Sequence, residues 1–340
     1  MRTQFSKIFH AIIYVTLWIY AIPTTVQSAA FEDFNLITCI PQKDDCFRAQ
    51  SHNIPSIEEL CQSICDHTAG SIDTYVAPGY YCGRNIHIIQ GVQAVHNHDI
   101  IYIFVSGWAG FPSNAPYRCK GNALYYAYLY QQAGIIPGVC VCYDHPNSTL
   151  RTATFGQKTD QDNLYQVITL VKEKNPHAEL VLVGSSYGAT TILNFLTQQP
   201  ISKLARIKAV VLESPFINLE SIIMHRSPHY LYYLGKSLVS LLARCLPAYT
   251  PHATTVLNAQ QLARPIPIFI GAIHDDPVVP YADVATIVAH MRAINRAPVY
   301  FFTSTHVQQH SYLFVDNAYA DAVNQFYRNI KLYTPQPRYK

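Results

Sequence analysis

Residues 179–188 read Glu179-Leu180-Val181-Leu182-Val183-Gly184-Ser185-Ser186-Tyr187-Gly188. Leu180 to Val183 form an unbroken branched apolar run, which suits a strand covered on both faces rather than one with a wet side. G-x-S-x-G follows directly, and then a helix-forming run from Ala189 to Leu196. Strand, sharp turn and helix in that order give the motif chemical meaning. Small flanking residues let strand and helix approach, and the turn lifts the Ser186 hydroxyl above the sheet at the helix start. A phosphate-binding loop or a plain strand–helix turn would show the same five letters, so the reading depends on what else the chain supplies.

Similar apolar runs lie on both sides of this stretch: Ile100 to Val105, Val139 to Tyr143, Ile207 to Leu212, Ile266 to Ile270 and Val299 to Phe302. The segments between them carry helical periodicity. Asp162 to Lys174 places Leu164, Val167, Ile168 and Val171 on one stripe, and Tyr312 to Phe326 does the same with Val315, Tyr319, Val323 and Phe326. Strand–helix alternation of this kind predicts the α/β class, with a doubly wound, mostly parallel sheet. Tyr75 to Gly91 reads as an antiparallel hairpin feeding the sheet edge. Residues 216–264 are too long for a simple crossover. Their amphipathic stretch around Leu231, Leu234, Leu238, Leu241, Leu242 and Cys245 predicts a small helical cap.

Of 340 residues, 49% are apolar, enough to bury a sizeable core. Only 13% are charged and the formal net charge is +3, with no basic, aromatic-interleaved run; a nucleic-acid partner is not expected. Residues 1–28 have the make-up of a signal peptide. Arg2 and Lys7 precede the apolar stretch Ile8 to Ile22, and small residues follow at Ser28, Ala29 and Ala30. The apolar stretch is short for a bilayer span, so no stable anchor is expected after cleavage. Residues 29–98 form a cysteine-rich segment. Cys39, Cys46, Cys61, Cys65 and Cys82, with Cys119 beyond, read as disulfide partners in an exported protein, secreted or periplasmic/lumenal. Zinc is the rival reading of Cys61-x-x-x-Cys65, but no second Cys/His pair follows at ligand spacing. Cys140 and Cys142 share one face of a predicted strand and read as buried thiols. Asn147-Ser148-Thr149 is a glycosylation acceptor pattern. Residues 99–340 form the remaining, strand–helix domain.

An elbow serine needs a base, and the base needs an orienting acid, in the chain order Ser, acid, His. After the next-to-last predicted strand the chain reads His274-Asp275-Asp276-Pro277-Val278-Val279-Pro280. The D-x-x-V-P spacing selects Asp276, with Asp275 as the alternative. After the last strand, His306 and His310 are available. His310 opens the run leading into the final helix and is preferred. The i,i+4 pair His306 and His310 also has metal-ligand spacing, but no nearby acid completes such a site. The third requirement is a pair of backbone N–H donors for the transition-state oxyanion. Tyr187, next after the serine, is one candidate. Trp108, in the loop Ser106-Gly107-Trp108-Ala109-Gly110 after the first long strand, is the other.

On these residues the chain resembles the α/β-hydrolase superfamily over roughly residues 95–330. SGWAG is similar to the family's oxyanion loop, with Ser106 where His is usual, and GSSYG is similar to its nucleophile elbow. Leu212-Glu213-Ser214-Pro215-Phe216-Ile217-Asn218-Leu219-Glu220-Ser221 resembles a segment of the branch containing serine aminopeptidases and Bem46-like hydrolases, with Asn218 where Ser or Thr is usual, and HDDPVVP resembles its acid loop. The resemblance implies a triad of Ser186, Asp276 and His310, an acyl-enzyme intermediate, and no metal or organic cofactor. It implies a small-molecule or lipid-like ester as substrate, with the acyl or alcohol group under residues 216–264. Two other readings stay open: a peptidase or amidase with the same triad, and a secreted binding protein on a hydrolase scaffold.

Overall fold

The computed structural model describes residues 72–76, 85–90, 100–105, 107, 139–143, 154–174, 176–226, 250, 255–308, 310, 313 and 316–332; for 72–76, 85–90, 139–143, 174, 223 and 226 it describes the backbone alone. The signal-peptide reading of residues 1–28, the cysteine pairings and Trp108 lie outside the described residues, as does most of the expected cap.

Eight strands form one sheet in the order β1-β2-β4-β3-β5-β6-β7-β8. In chain order they are β1 (Ile72–Val76), β2 (Asn85–Gln90), β3 (Ile100–Val105), β4 (Val139–Tyr143), β5 (Glu179–Ser185), β6 (Ile207–Glu213), β7 (Ile268–Ile273) and β8 (Val299–Ser304). β1 and β2 pair antiparallel and β2 joins β4 antiparallel, which is the edge hairpin expected from residues 75–91. From β4 across to β8 every pairing is parallel.

The unbroken apolar runs have their cause in two separate cores. Alternate residues of one strand point to opposite faces. Leu180 and Leu182 of β5 enter one buried cluster, while Val181 and Val183 enter the other. β6 splits in the same way, Val210 and Leu212 to one face and Ala209 and Val211 to the other. A polar residue at any of these positions would be buried without water on either side.

The described helices are α1 (Lys158–Lys174), α2 (Tyr187–Gln198), the single turn α3 (Ile201–Leu204), α4 (Leu219–Arg226), α5 (Tyr281–Ile294) and α6 (Asn317–Asn329). α1, α2 and α5 cover the first face, with Leu164, Ile192 and Ile287 in its core. α6 covers the second with Tyr319, Val323, Phe326 and Tyr327, one stripe at helical spacing. Aromatic pairs reinforce that stripe: Phe269 meets Tyr319 at 5.8 Å and Phe326 at 5.6 Å between ring centroids, each pair being worth about 0.5–1.5 kcal/mol beyond its buried area. α2 is buried along nearly its whole length, because it lies between the sheet and α1.

Two helix boundaries differ from the sequence expectation. The final helix begins at Asn317, not at Tyr312, so His310 lies in the turn region before it. Asp316 stops the helix from extending backward. Its Oδ1 accepts the Ala318 N–H, and its Oδ2 accepts the Ser304 hydroxyl from β8. α1 begins at Lys158, four residues before the expected Asp162, and carries Asp160 in its first turn. Of the expected cap, α4 is described; it starts the segment that leaves β6.

Candidate active site

Ser186 directly follows β5 and stands at the N-cap position of α2. Its backbone sits at φ 51°, ψ −113°. A residue with a Cβ is disfavoured there, outside even the small left-handed helical region. Two contacts hold it. The Ser186 N–H donates to the Glu213 carbonyl at the end of β6, at 2.8 Å. Its own carbonyl accepts the first helical bond, from the Thr190 N–H at 3.0 Å. Gly184 makes the turn possible from behind. A Cβ on it would lie 2.7 Å from Ile192 Cδ1 and 2.8 Å from the Ala189 nitrogen, so only glycine lets helix and strand pack this closely.

Asp276 and His310 follow β7 and β8, the second and third strands beyond β5 across the sheet. All three residues therefore stand beyond the carboxyl ends of parallel strands, on the same edge of the sheet. The structure brings Asp276 and His310 together: His310 Nδ1 lies 3.0 Å from Asp276 Oδ1 and 2.8 Å from Oδ2. The Asp276 side chain is 1% exposed and that of His310 17%. Asp275 instead faces solvent, its Oδ1 beside His274 Nδ1 at 2.9 Å, and His306 is exposed.

The D-x-x-V-P spacing has a local physical meaning. Asp276 Oδ1 accepts the N–H groups of Val278 at 2.8 Å and Val279 at 3.0 Å, so the loop folds back on its own acid. Burial pushes the Asp276 carboxyl upward, but the His310 ring, its hydrogen bond and these two N–H groups outweigh it, and the net displacement is below the ordinary carboxylate value. Asp276 is therefore ionised at neutral pH. An ionised carboxylate demands a proton on Nδ1, which leaves Nε2 of the neutral ring as the proton acceptor.

Two further elements frame the serine. Gly107, just past β3, comes so close that a Cβ on it would lie 3.4 Å from the Ser185 carbonyl oxygen and 3.6 Å from Ser186 Cβ. The loop that carries the expected donor Trp108 thus begins against the elbow. Tyr187 is the first residue of α2, a position whose N–H finds no acceptor within the helix itself. On the opposite flank, the chain leaving β6 is pinned to α2 and α5. Thr190 Oγ1 accepts the Phe216 N–H and donates to the Phe216 carbonyl, and Asp283 accepts the Ile217 N–H and the Ser221 hydroxyl. His225 of α4 then donates from Nε2 to the Asp276 carbonyl at 3.0 Å, tying this segment to the acid loop.

Sequence reasoning passed over Asp160 and Gly156. The one signal for them was an acid four residues after a glycine at the mouth of an amphipathic helix. Tyr187 buries its side chain against the first of these: its hydroxyl donates to Asp160 Oδ2 at 2.6 Å.

No protein-family model matches the sequence, and no curated protein matches it. Solved structures do. An esterase from Pyrococcus furiosus superposes with a TM-score of 0.52 at 14% identity, over 81% of this chain and 96% of its own. The acylaminoacyl peptidase of Pyrococcus horikoshii superposes at 0.54 with 12% identity, over 79% of this chain and 43% of its own. A thermophilic esterase from Thermogutta terrifontis superposes at 0.50 with 15% identity, over 79% and 97%. At these identities the likeness speaks for architecture. With its parallel sheet, edge hairpin and flanking helices, the chain has the α/β-hydrolase fold.

Proposed function

We propose that this chain is an exported serine hydrolase that cleaves carboxylic esters through an acyl-enzyme on Ser186, His310 and Asp276. The observation that carries the reading is the backbone of Ser186 at φ 51°, ψ −113°. Such strain costs about 1–3 kcal/mol, and it persists only where the surroundings enforce it. A turn that merely joined strand to helix would relax it by using glycine. The pair of buried Asp276 and half-buried His310, at the same edge of the sheet, supplies the base and orienting acid that such a serine requires.

In the reaction, Ser186 Oγ bonds to the substrate carbonyl carbon while His310 Nε2 takes the hydroxyl proton. The carbonyl oxygen becomes an oxyanion and is met by the Tyr187 N–H, with Trp108 as the second donor. As the tetrahedral centre collapses, the ester C–O bond breaks and His310 returns the proton to the departing alcohol. A water then adds to the acyl carbon by the same route, releasing the acid and restoring Ser186. Asp276 stays ionised throughout and stabilises the imidazolium. The export element of the proposal rests on residues 1–30.

Esterases and a peptidase share this fold, so the test uses both bonds. The mature protein and a Ser186→Ala variant are treated with a fluorophosphonate probe, then assayed on matched p-nitrophenyl ester and anilide substrates. Labelling and ester cleavage that both vanish in Ser186→Ala support the reading. A folded wild type that does not label overturns it and favours the binding-scaffold alternative. Anilide cleavage outpacing ester cleavage moves the assignment to an amidase.

A further inference from the structure

We propose that Asp160 and Tyr187 form a buried latch that fixes the Ser186–Tyr187 peptide, making Asp160 a positioning residue for the oxyanion N–H; this rests on the hydrolase reading of Ser186. Tyr187 faces two ways. Its backbone N–H opens α2 beside the serine, while its side chain, 1% exposed, runs into the loop before α1. There the hydroxyl accepts the N–H groups of Thr154 and Phe155, each at 3.2 Å, and donates to Asp160 Oδ2. Asp160 is 0% exposed, and the same oxygen also receives the Gly156 N–H at 2.8 Å and the Thr154 hydroxyl.

The loop is bent for this purpose. Phe155 and Gly156 stand in succession at φ 51° and 85°. That turn parts successive backbone N–H groups, the Phe155 N–H going to the phenol oxygen and the Gly156 N–H to Asp160 Oδ2, and the Phe155 ring packs 5.3 Å from the Tyr187 ring. Gly156 is pressed onto α2: a Cβ there would lie 3.0 Å from Asn194 Nδ2 and 3.2 Å from the Thr191 nitrogen. Its carbonyl accepts from both Asn194 and Gln161. The loop, the first turn of α1 and the first two turns of α2 are thereby one hydrogen-bonded body.

Packing alone does not account for the arrangement. Phenylalanine at 187 would fill the same space, and α2 already buries Ile192, Leu193, Phe195 and Leu196. A buried carboxylate costs desolvation that an apolar contact avoids, but a satisfied polar network admits one geometry where apolar packing admits several. Burial, and then the charge of Asp160, hold the Tyr187 phenol well above its ordinary pKa, so it keeps its proton and remains a donor.

The test compares Tyr187→Phe, Asp160→Asn and the double variant with Val323→Ala, a destabilising change in the core on the other face of the sheet. Active sites are counted by fluorophosphonate titration. kcat and KM are measured on a p-nitrophenyl ester, and affinity for a trifluoromethyl ketone reports oxyanion stabilisation directly. The expected result is a fall in kcat of about 10- to 100-fold in Tyr187→Phe, with KM changed by less than about threefold. Ketone affinity falls in step, the double variant is no worse than the poorer single one, and Val323→Ala keeps wild-type kcat per labelled serine. Wild-type kcat in Tyr187→Phe overturns the latch while leaving the hydrolase reading intact. So does a Tyr187→Phe protein that fails to fold, since the hydroxyl would then serve stability. A wild type that neither labels nor cleaves ester removes both.

Discussion

His310 presents Nδ1 to both carboxylate oxygens of Asp276, at 3.0 and 2.8 Å, inside a loop whose Val278 and Val279 N–H groups hold the same carboxylate from the other side. The contact decides the tautomer as well as the orientation of the ring. An amide at 276 would offer its NH2 to Nδ1 and move the imidazole proton to Nε2, where it would block proton acceptance. Asp276→Asn is therefore expected to fold and to lose about 10⁴-fold in kcat with little change in KM. Steady-state kinetics beside a circular dichroism spectrum checks this. A loss below tenfold would remove Asp276 from the mechanism.

The strain at Ser186 gives a second expectation. Glycine adopts φ 51°, ψ −113° without Cβ penalty, whereas alanine carries the full strain. After the entropy glycine gains on unfolding is subtracted, Ser186→Gly should exceed Ser186→Ala in stability by about 1 kcal/mol. Both should be inactive. Urea unfolding of the two variants side by side measures the difference, and equal stabilities would mean the elbow is relaxed.

Two glycines near the serine should behave in opposite ways. Alanine at 184 would collide with the backbone of Ala189, which cannot move without shifting α2. Gly184→Ala is expected to lose about 1–3 kcal/mol or more. Alanine at 107 would make only ordinary contacts, so Gly107→Ala should stay within about 0.5 kcal/mol of the parent. Thermal melts of both variants decide the matter, and a reversed order would contradict the packing of the elbow.

Asp283 provides a pH test. Burial lifts its carboxyl, the Ser221 hydroxyl, the Ile217 N–H and the nearby His225 pull against that, and the net displacement is upward. The folded state therefore holds this proton more tightly than the unfolded chain. Its contribution is fully present below the unfolded value of about 3.9 and declines as pH rises through the raised folded value. Asp283→Asn keeps an acceptor for Ile217 and removes the titration. Urea midpoints of the variant, taken across that window, should fall less steeply with rising pH than those of the parent. Parallel curves would exclude Asp283 as a source of the slope.

Much of the site was legible because its signals are local. A branched apolar run needs cover on both faces, which is how β5 and β6 feed two cores. The choice of Asp276 over Asp275 followed from a spacing that corresponds to a carboxylate accepting from its own loop. The start of the last helix was not legible from periodicity. Its cap, Asp316, is also held by Ser304 of β8, a contact that no residue window around the helix contains.

The sequence by itself determined the alternation of strand and helix, the sharp turn at Ser186 and the chain order of serine, acid and histidine, since period, glycine placement and residue type are properties of a short stretch. Only the tertiary structure decided which histidine meets the acid, and that Tyr187 is anchored on Asp160, 27 residues earlier in the chain. Both depend on which carboxylates are buried together with their donors, and burial is set by how whole elements pack rather than by any residue's neighbours along the chain.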